Sequence, residues 1–175
     1  NALEDLGLLK MDFLGLRNLT VINKAVIMVK KNHGKKIDIA KINLEDKKVF
    51  TMFAEARTTG IFQFESDGMR EYLKQLKPTC IGDLIAMNAL YRPGPMANIP
   101  EFIARKNGQS KIDHIHPALE PVLKETYGII VYQEQVMQIS QIIGGFTLAQ
   151  GDMLRRSMGK KKADIMAAFK VDFVD

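Results

Sequence analysis

Apolar residues recur every three or four positions along most of the chain, a spacing that places their side chains on one face of an α-helix. Leu19, Ile22 and Val26 show this pattern first, in a helix predicted to end at the turn containing Gly34. Other predicted helices span residues 67–76, 81–90 and 99–106. The pattern therefore predicts a mainly α fold with roughly seven or eight helices.

A few short segments follow a different period. Leu9, Met11 and Phe13 alternate with the residues between them, as side chains do along a β-strand. Short extended segments are also predicted at 61–64 and 129–132. We therefore expect a mainly α fold with a few short β-strands.

Composition limits the classes of function. Of 175 residues, 46% are hydrophobic, enough to bury a core, and the net charge of +5 suits a polyanionic partner without requiring one. The single cysteine, Cys80, excludes an internal disulfide and a cysteine-based zinc site. Because no apolar run reaches the ~18 residues of a membrane span and no signal peptide opens the chain, we expect a cytoplasmic protein. The chain starts without Met and stops within a helical pattern, so we expect a fragment.

The most basic stretch is LAQGDMLRRSMGKKK, residues 148–162. In a helix, Arg156 and Lys160 lie one turn apart on the same face, where like charges repel weakly and an anion would be attracted. Arg155 adds a further cation beside them. The alternative is a solvated basic face that is partly neutralised by Asp152, which can pair with either arginine.

This stretch also carries the signals of a packed helix. Thr147 and Gln150 have the spacing of a capping box, which predicts the start of a helix. Met153, Leu154 and Met158 would give that helix an apolar side.

Two other charged residues have contexts that suggest a role. Asp12 is a carboxylate in an otherwise apolar predicted strand, so it must face water, a cation or a metal. An ordinary edge-strand aspartate paired with Lys10 is the alternative. Arg92 lies in YRPGP, where prolines stiffen the exit from a helix, so it could hold a phosphate or cap the helix end.

These residues do not make a complete catalytic site. The chain has no P-loop, no dinucleotide glycine motif, no nucleophile elbow and no HExxH. A magnesium ion prefers one or two carboxylates together with phosphate oxygens, and a triphosphate prefers fixed Arg and Lys donors. The pattern is typical of one half of a phosphoryl-transfer site.

Five strings in this order resemble the alpha subunit of bacterial DNA polymerase III, a C-family replicative polymerase. They are LGLLKMDFLGLRNLTVI, TTGIFQFESDGM, DLIAMNALYRPGPM, TYGIIVYQEQVMQI and DMLRRSMGKKK. The resemblance covers essentially the whole chain. It implies that residues 1–17 are the end of the palm domain and that 18–175 are the fingers domain, truncated at its C-terminus.

The resemblance also implies residue roles. Asp12 matches a catalytic carboxylate that helps to bind two Mg²⁺ ions. The positive residues that match a surface facing the triphosphate of the incoming nucleotide are Arg92, Arg155, Arg156 and Lys160. Motifs near the active-site side of the fingers contain Gln63, Tyr132 and Gln133, whose individual roles the resemblance does not assign. For Gln63, an ordinary surface polar group is the alternative.

The implied function is that of part of a DNA-directed DNA polymerase. Its partners would be a dNTP, primer-template DNA and, through regions absent here, other replicase subunits, without a membrane. The family's other catalytic aspartates lie before this stretch, so we expect the chain alone to be inactive. Two alternatives remain, a free-standing helical nucleic-acid-binding module and a structural or partner-docking helical domain, the latter favoured if the basic helix pairs internally with acidic residues.

Overall fold

The computed structural model describes residues 6–9, 11–159 and 163–174. The α-helices among these residues are α1 (Arg17–His33), α2 (Lys47–Ala54), α3 (Asp67–Leu76), α4 (Ile81–Leu90), α5 (Ile99–Lys106), α6 (Glu120–Leu123), α7 (Gln133–Gly144), α8 (Leu148–Gly159) and α9 (Ala163–Val174). Short 3-10 helices span Ile39–Lys41, Pro95–Asn98, Pro117–Leu119 and Lys124–Thr126. None of the described helices is long and apolar enough to cross a membrane.

The mainly α prediction is confirmed, but the prediction of short β-strands is wrong throughout the described residues. At 61–64 the backbone turns: the amide of Ile61 donates to the carbonyl of Thr58, and the amide of Phe64 donates to that of Ile61, both at 3.0 Å. Gln63 has a φ of 67°, in the left-handed region that a regular strand excludes. The alternation here reflects successive turns that bury some of the side chains.

Residues 129–132 also lack strand structure, because a side chain takes up their backbone hydrogen bonds. The amides of Val131 and Tyr132 both donate to Oε1 of Gln135, at 2.8 and 2.9 Å. Residues 11–16 have no regular structure, and the described part of the chain offers no second strand to pair with them. An unpaired strand would leave its N–H and C=O groups without partners, so alternation alone does not make one.

The chain divides into two compact units, Asn1–Asn43 and Leu44–Asp175. The first is built on α1, which ends as predicted at Gly34. This glycine has a φ of 65°, and its amide donates to the carbonyl of Lys30 at 3.0 Å. Glycine adopts this left-handed conformation without the steric cost that other residues bear, which explains its place at the helix end.

The core of the second unit lies among α2, α3, α4 and α5. Met69, Leu73 and Leu76 repeat at helical spacing on α3, and all three are fully buried. The other buried members of this core are Phe50, Phe53, Leu84, Ala86, Met87, Leu90, Ile99, Phe102 and Ile103. Each large apolar side chain buried in this way contributes about 1.5–3 kcal/mol, which fixes α4 and the corner after it.

A buried carboxylate joins α4 to α5 and to the turn at 124–126. The Oδ1 of Asp83 accepts a hydrogen bond from the Tyr127 hydroxyl at 2.8 Å, and its Oδ2 accepts one from the Thr79 amide at 2.8 Å. The Nζ of Lys106 lies 3.6 Å from the same carboxylate. Burial, together with the hydrogen bond to Asp83, raises the pKa of Tyr127. The buried charge is thus balanced by a cation and by donors.

Candidate functional site

Helices α7 and α8 approach each other closely at Gly151. A Cβ atom at this position would lie 3.0 Å from Oγ of Ser140 and 3.5 Å from the carbonyl oxygen of Met137. Gly151 and Ser140 are both buried, and the Ser140 hydroxyl donates to the Met137 carbonyl at 2.8 Å. The absence of a side chain at 151 therefore permits the close packing on which the site depends.

The signals that predicted α8 are largely confirmed. Gln150 Oε1 accepts a hydrogen bond from the Thr147 amide at 2.9 Å, and the Gln150 amide donates to Oγ1 of Thr147 at 3.3 Å, forming the capping box. Leu154 and Met158 line an open apolar cavity of about 470 Å³ between α7, α8 and α9. Met153 is instead 54% exposed.

Arg155 is held by two helices. Its Nε and Nη2 donate to Oδ1 of Asp152 on α8, at 3.0 and 2.7 Å. Its Nη1 donates to Oε1 of Gln133, the first residue of α7, at 2.7 Å. Since the Arg155 side chain is only 27% exposed, packing and these bonds together fix its guanidinium.

Arg156 shares the carboxylate of Asp152. Its Nε lies 2.8 Å from Oδ2, the oxygen that Arg155 does not use, and its side chain is 66% exposed. Hydrogen bonding from Arg155 is the main cause of a lowered pKa at Asp152, and the charges of both arginines act in the same direction. Asp152 therefore pairs with both arginines at once, whereas the sequence predicted a pair with one or the other.

The arrangement leaves donors available for a ligand. A guanidinium has five N–H groups, and Arg155 uses three, so one remains on Nη1 and one on Nη2. The amino groups Nη1 and Nη2 of Arg156 have no hydrogen bond to any residue within the described ranges. Two guanidiniums against one carboxylate also leave a net charge of +1, so the cluster can bind an anion without losing Asp152.

A buried glutamine fixes the start of α7 and thereby the position of Gln133. Gln135 is 4% exposed, and its Nε2 donates to the carbonyl of Val122 at 3.1 Å and to Oγ1 of Thr126 at 2.8 Å. Its Oε1 accepts hydrogen bonds from the amides of Val131 and Tyr132, which precede α7. All hydrogen-bonding capacity of this buried amide is used, as buried polar groups require.

Replacing Gln135 with alanine is expected to lower the free energy of unfolding by roughly 2–4 kcal/mol, because each buried polar group left without a partner costs about 1–3 kcal/mol. Urea unfolding followed by circular dichroism measures this loss. The matched control is Gln138→Ala, an exposed glutamine on the same helix, for which we expect a change within about 0.5 kcal/mol. Equal effects of the two substitutions would contradict the role assigned to Gln135.

Gln63 and Arg92 lie near the end of α4. The Oε1 of Gln63 accepts a hydrogen bond from Nδ2 of Asn88 on α4, at 2.6 Å. Arg92 follows α4 on the predicted corner, where its carbonyl accepts the amide of Met96 at 3.2 Å and Gly94 has a φ of 102°. Arg92 is exposed, and its guanidinium forms no ion pair with any of the described residues. Within the described ranges, no hydrogen bond or ion pair joins Gln63 or Arg92 to the Asp152 cluster.

Tyr132 precedes α7 and packs against the main core. Burial is the main cause of the raised pKa of its hydroxyl, and the charge of Glu125 adds to it. Tyr132 is therefore neutral at physiological pH, and its described contacts support the start of α7.

Asp12 lies in the irregular segment 11–16 of the first unit and is exposed. Among the described residues, no group of three or more His, Cys, Asp or Glu side chains could hold a metal ion. Asp12 can therefore supply one carboxylate ligand, but these residues alone do not form a magnesium site. Asp12 and the two arginines belong to different units, each of which is described by itself. Lys160 lies outside the described residues.

The sequence indicated Asp152 as a partner of either arginine, but it assigned no role to Asn88 or Gln135, which the structure places beside other candidate site residues. Asp152 holds both arginines, Asn88 holds Gln63, and Gln135 fixes the segment before Gln133. The spacing of Asp152, three and four positions before the arginines, is the signal that predicted its pairing with them. Asn88 carries no comparable local signal, whereas Gln135 occupies the third position of α7, where a glutamine commonly accepts the amide of the residue before the helix.

Residues 18–175 match the family described as the bacterial DNA polymerase III alpha subunit finger domain. The chain is 52% identical over 173 residues to DNA polymerase III subunit alpha of Bacillus subtilis (strain 168), covering 99% of this chain and 16% of that protein. It is also 52% identical over 174 residues to the protein of the same name from Aquifex aeolicus (strain VF5), with coverage of 98% and 15%.

For DNA polymerase III subunit alpha of Staphylococcus aureus (strain Mu50 / ATCC 700699), the identity is 50% over 172 residues, covering 98% of this chain and 16% of that protein. The chain thus spans about a sixth of the length of these relatives. The identity extends over nearly the whole chain, and the family match covers most of it. The chain therefore belongs to the bacterial DNA polymerase III alpha subunit family, and it corresponds to the part of that subunit that includes the finger domain.

Proposed function

We propose that this chain binds the triphosphate of an incoming deoxynucleoside triphosphate through Arg155 and Arg156. The observation that carries the proposal is the shared Asp152, which holds both guanidiniums and leaves N–H donors on each of them. Fixed arginine donors suit phosphate oxygens because their planar fork matches them in pairs. Arg92 and Lys160 are proposed as further cations facing the triphosphate, and Gln63, Tyr132 and Gln133 as neighbours of the bound nucleotide.

We also propose that Asp12 is one of several carboxylates that bind Mg²⁺ in the full-length protein. When bound, the metal would stabilise the negative charge that develops during phosphoryl transfer. Because no group of three or more His, Cys, Asp or Glu side chains among the described residues could hold a metal ion, the proposal takes the other ligands from elsewhere in the full-length protein. In this proposal residues 1–17 end the palm and 18–175 form the fingers.

The proposed activity of the full-length protein is DNA-directed DNA polymerisation in the cytoplasm. Its partners would be primer-template DNA and other replicase subunits. Because a two-metal site needs carboxylates converging on metals about 4 Å apart, the present chain alone should not extend a primer. The membership of the family supports this proposal over a free-standing nucleic-acid-binding module.

One observation favours a second candidate, a purely structural role for the basic helix. Asp152 pairs internally with both arginines, as expected if their task were to stabilise α8. Surface ion pairs of this kind contribute only about 0–1 kcal/mol to stability, however, and the cluster remains positively charged. Phosphate binding explains the remaining donors and charge, and a structural role does not.

The proposal predicts that the chain binds a dNTP weakly, in a manner governed by its phosphates. Titration of the chain with dATP, dAMP and deoxyadenosine should show affinity that falls in this order. Raising the salt concentration from about 0.05 to 0.3 M should weaken dATP binding several-fold, since ions screen exposed charges. The deoxyadenosine titration is the control for binding through the base or sugar. Equal affinity for all three compounds would contradict the proposal.

A further inference from the structure

One carboxylate contacts both arginines of the cluster with separate oxygen atoms. Oδ1 of Asp152 accepts from Nε and Nη2 of Arg155 at 3.0 and 2.7 Å, and Oδ2 lies 2.8 Å from Nε of Arg156. Asp152 is on the same helix as both arginines, three and four residues before them, so helical geometry keeps all three side chains on neighbouring positions. The relative position of the two guanidiniums is therefore set by Asp152.

We propose that Asp152 is a positioning residue that holds Arg155 and Arg156 side by side so that both bind one polyphosphate, with Gln133 as a second anchor for Arg155. This inference rests on the proposed function, because it assigns Asp152 a task only if the arginines bind a triphosphate. It extends that function because it assigns a negatively charged residue, Asp152, a supporting role in a site that binds an anion.

The opposite role for Asp152 is that of a competitor that occupies the arginines until a ligand displaces it. The geometry favours positioning, because Arg155 keeps N–H groups on Nη1 and Nη2 while bound to Asp152 and Gln133. Both amino groups of Arg156 also remain available within the described part of the chain. A ligand can therefore bind without displacing the carboxylate.

Positioning lowers the entropic cost of ligand binding, and this benefit opposes the repulsion between a carboxylate and a phosphate. Long arginine side chains lose much rotational freedom when a ligand orders them, and a side chain that is ordered beforehand loses less. Gln133 adds a restraint from a different helix, since its Oε1 lies 2.7 Å from Nη1 of Arg155. The direction of the guanidiniums thus depends on α7 as well as on α8.

The test is Asp152→Asn in the full-length protein, with single-turnover incorporation of one dNTP on a primed template. We expect kcat/KM for the dNTP to fall about tenfold, because the ligand must then order the arginines itself. The charge-matched control is Glu134→Gln, which removes an exposed carboxylate on α7 that forms no hydrogen bond or ion pair within the described ranges. We expect this control to stay within about twofold of the unchanged protein.

A double-mutant cycle separates positioning from a general structural effect. In a background of Arg155→Ala with Arg156→Ala, Asp152→Asn should have no further effect, because Asp152 acts only through those arginines. Asp152→Glu keeps the carboxylate and should recover kcat/KM to within about threefold of the unchanged protein, even if Asp152→Asn lowers the melting temperature.

The outcomes distinguish the two proposals. A rise in kcat/KM for Asp152→Asn, or no change, would show a competitor or a bystander and overturn the positioning role. An equal loss with and without the arginines, or no recovery in Asp152→Glu, would overturn it as well. If the double arginine variant alone had normal kinetics, the proposed triphosphate site itself would be wrong.

Discussion

Replacing Asp12 with asparagine in the full-length protein is expected to lower the rate of nucleotide incorporation by on the order of a thousandfold or more, because even a residue that only supports a metal ligand typically contributes 10–100-fold. Asparagine keeps the shape of the side chain but removes its negative charge and one oxygen ligand. Asp12 is exposed in a segment without regular structure, so the substitution should leave the fold intact. The measurement is single-nucleotide incorporation at several Mg²⁺ concentrations.

The control for Asp12 is Asp172→Asn, an exposed aspartate on α9. It removes the same charge and should leave incorporation within about twofold of the unchanged protein. Circular dichroism and binding to primed DNA would confirm that both variants are folded. A rate for Asp12→Asn within about threefold of the unchanged protein would contradict its assignment as a metal ligand, since even a supporting residue should have a larger effect.

The second large effect is expected for Arg155→Ala combined with Arg156→Ala. A hydrogen bond to a charged group contributes about 1.5–3 kcal/mol, so removing both arginines should cost about 3–6 kcal/mol of transition-state binding. At 1.4 kcal/mol for each factor of ten, kcat/KM for a dNTP should fall by roughly 10²- to 10⁴-fold. Steady-state incorporation on a primed template, with the dNTP concentration varied, measures this change.

The control for the arginine pair is Arg57→Ala combined with Lys74→Ala. Both residues form exposed ion pairs, with Glu55 and Glu71 respectively, so the control removes the same charge from the same unit. Because exposed pairs contribute little, the control should stay within a few-fold of the unchanged protein. Similar losses in the two double variants would mean that net charge, and not this site, governs the kinetics.

Local signals predicted the helices well because a helix depends on residues that are close together in the sequence. The bounds expected for α3, α4 and α5 agree with the structure. Ser66 caps α3, its Oγ accepting the amide of Met69, and buried residues repeat along that helix at the period of 3.6. The predicted strands are absent from the described residues because alternation does not supply a pairing partner, and Leu9, Met11 and Phe13 are all exposed.

The candidate site was predictable only where its contacts are local. The capping box at Thr147 and the spacing of Asp152 can be read from neighbouring residues. The bond between Arg155 and Gln133 joins residues 22 positions apart, and the bond between Asn88 and Gln63 joins residues 25 apart. Such pairs depend on how the helices pack, which no local spacing determines. The roles implied for Asp12 at a metal site and for the arginines at a triphosphate stay predictions.

Gly151 connects the packing of two helices to the position of the arginines that one of them carries. A methyl group there would meet Oγ of Ser140 at 3.0 Å, so a side chain at 151 requires an adjustment of Ser140 or of the packing between α7 and α8. Because α8 carries both arginines, a change in this packing would alter their separation from Gln133. A larger residue at this glycine is therefore expected to act on the arginines indirectly, through the spacing of two helices.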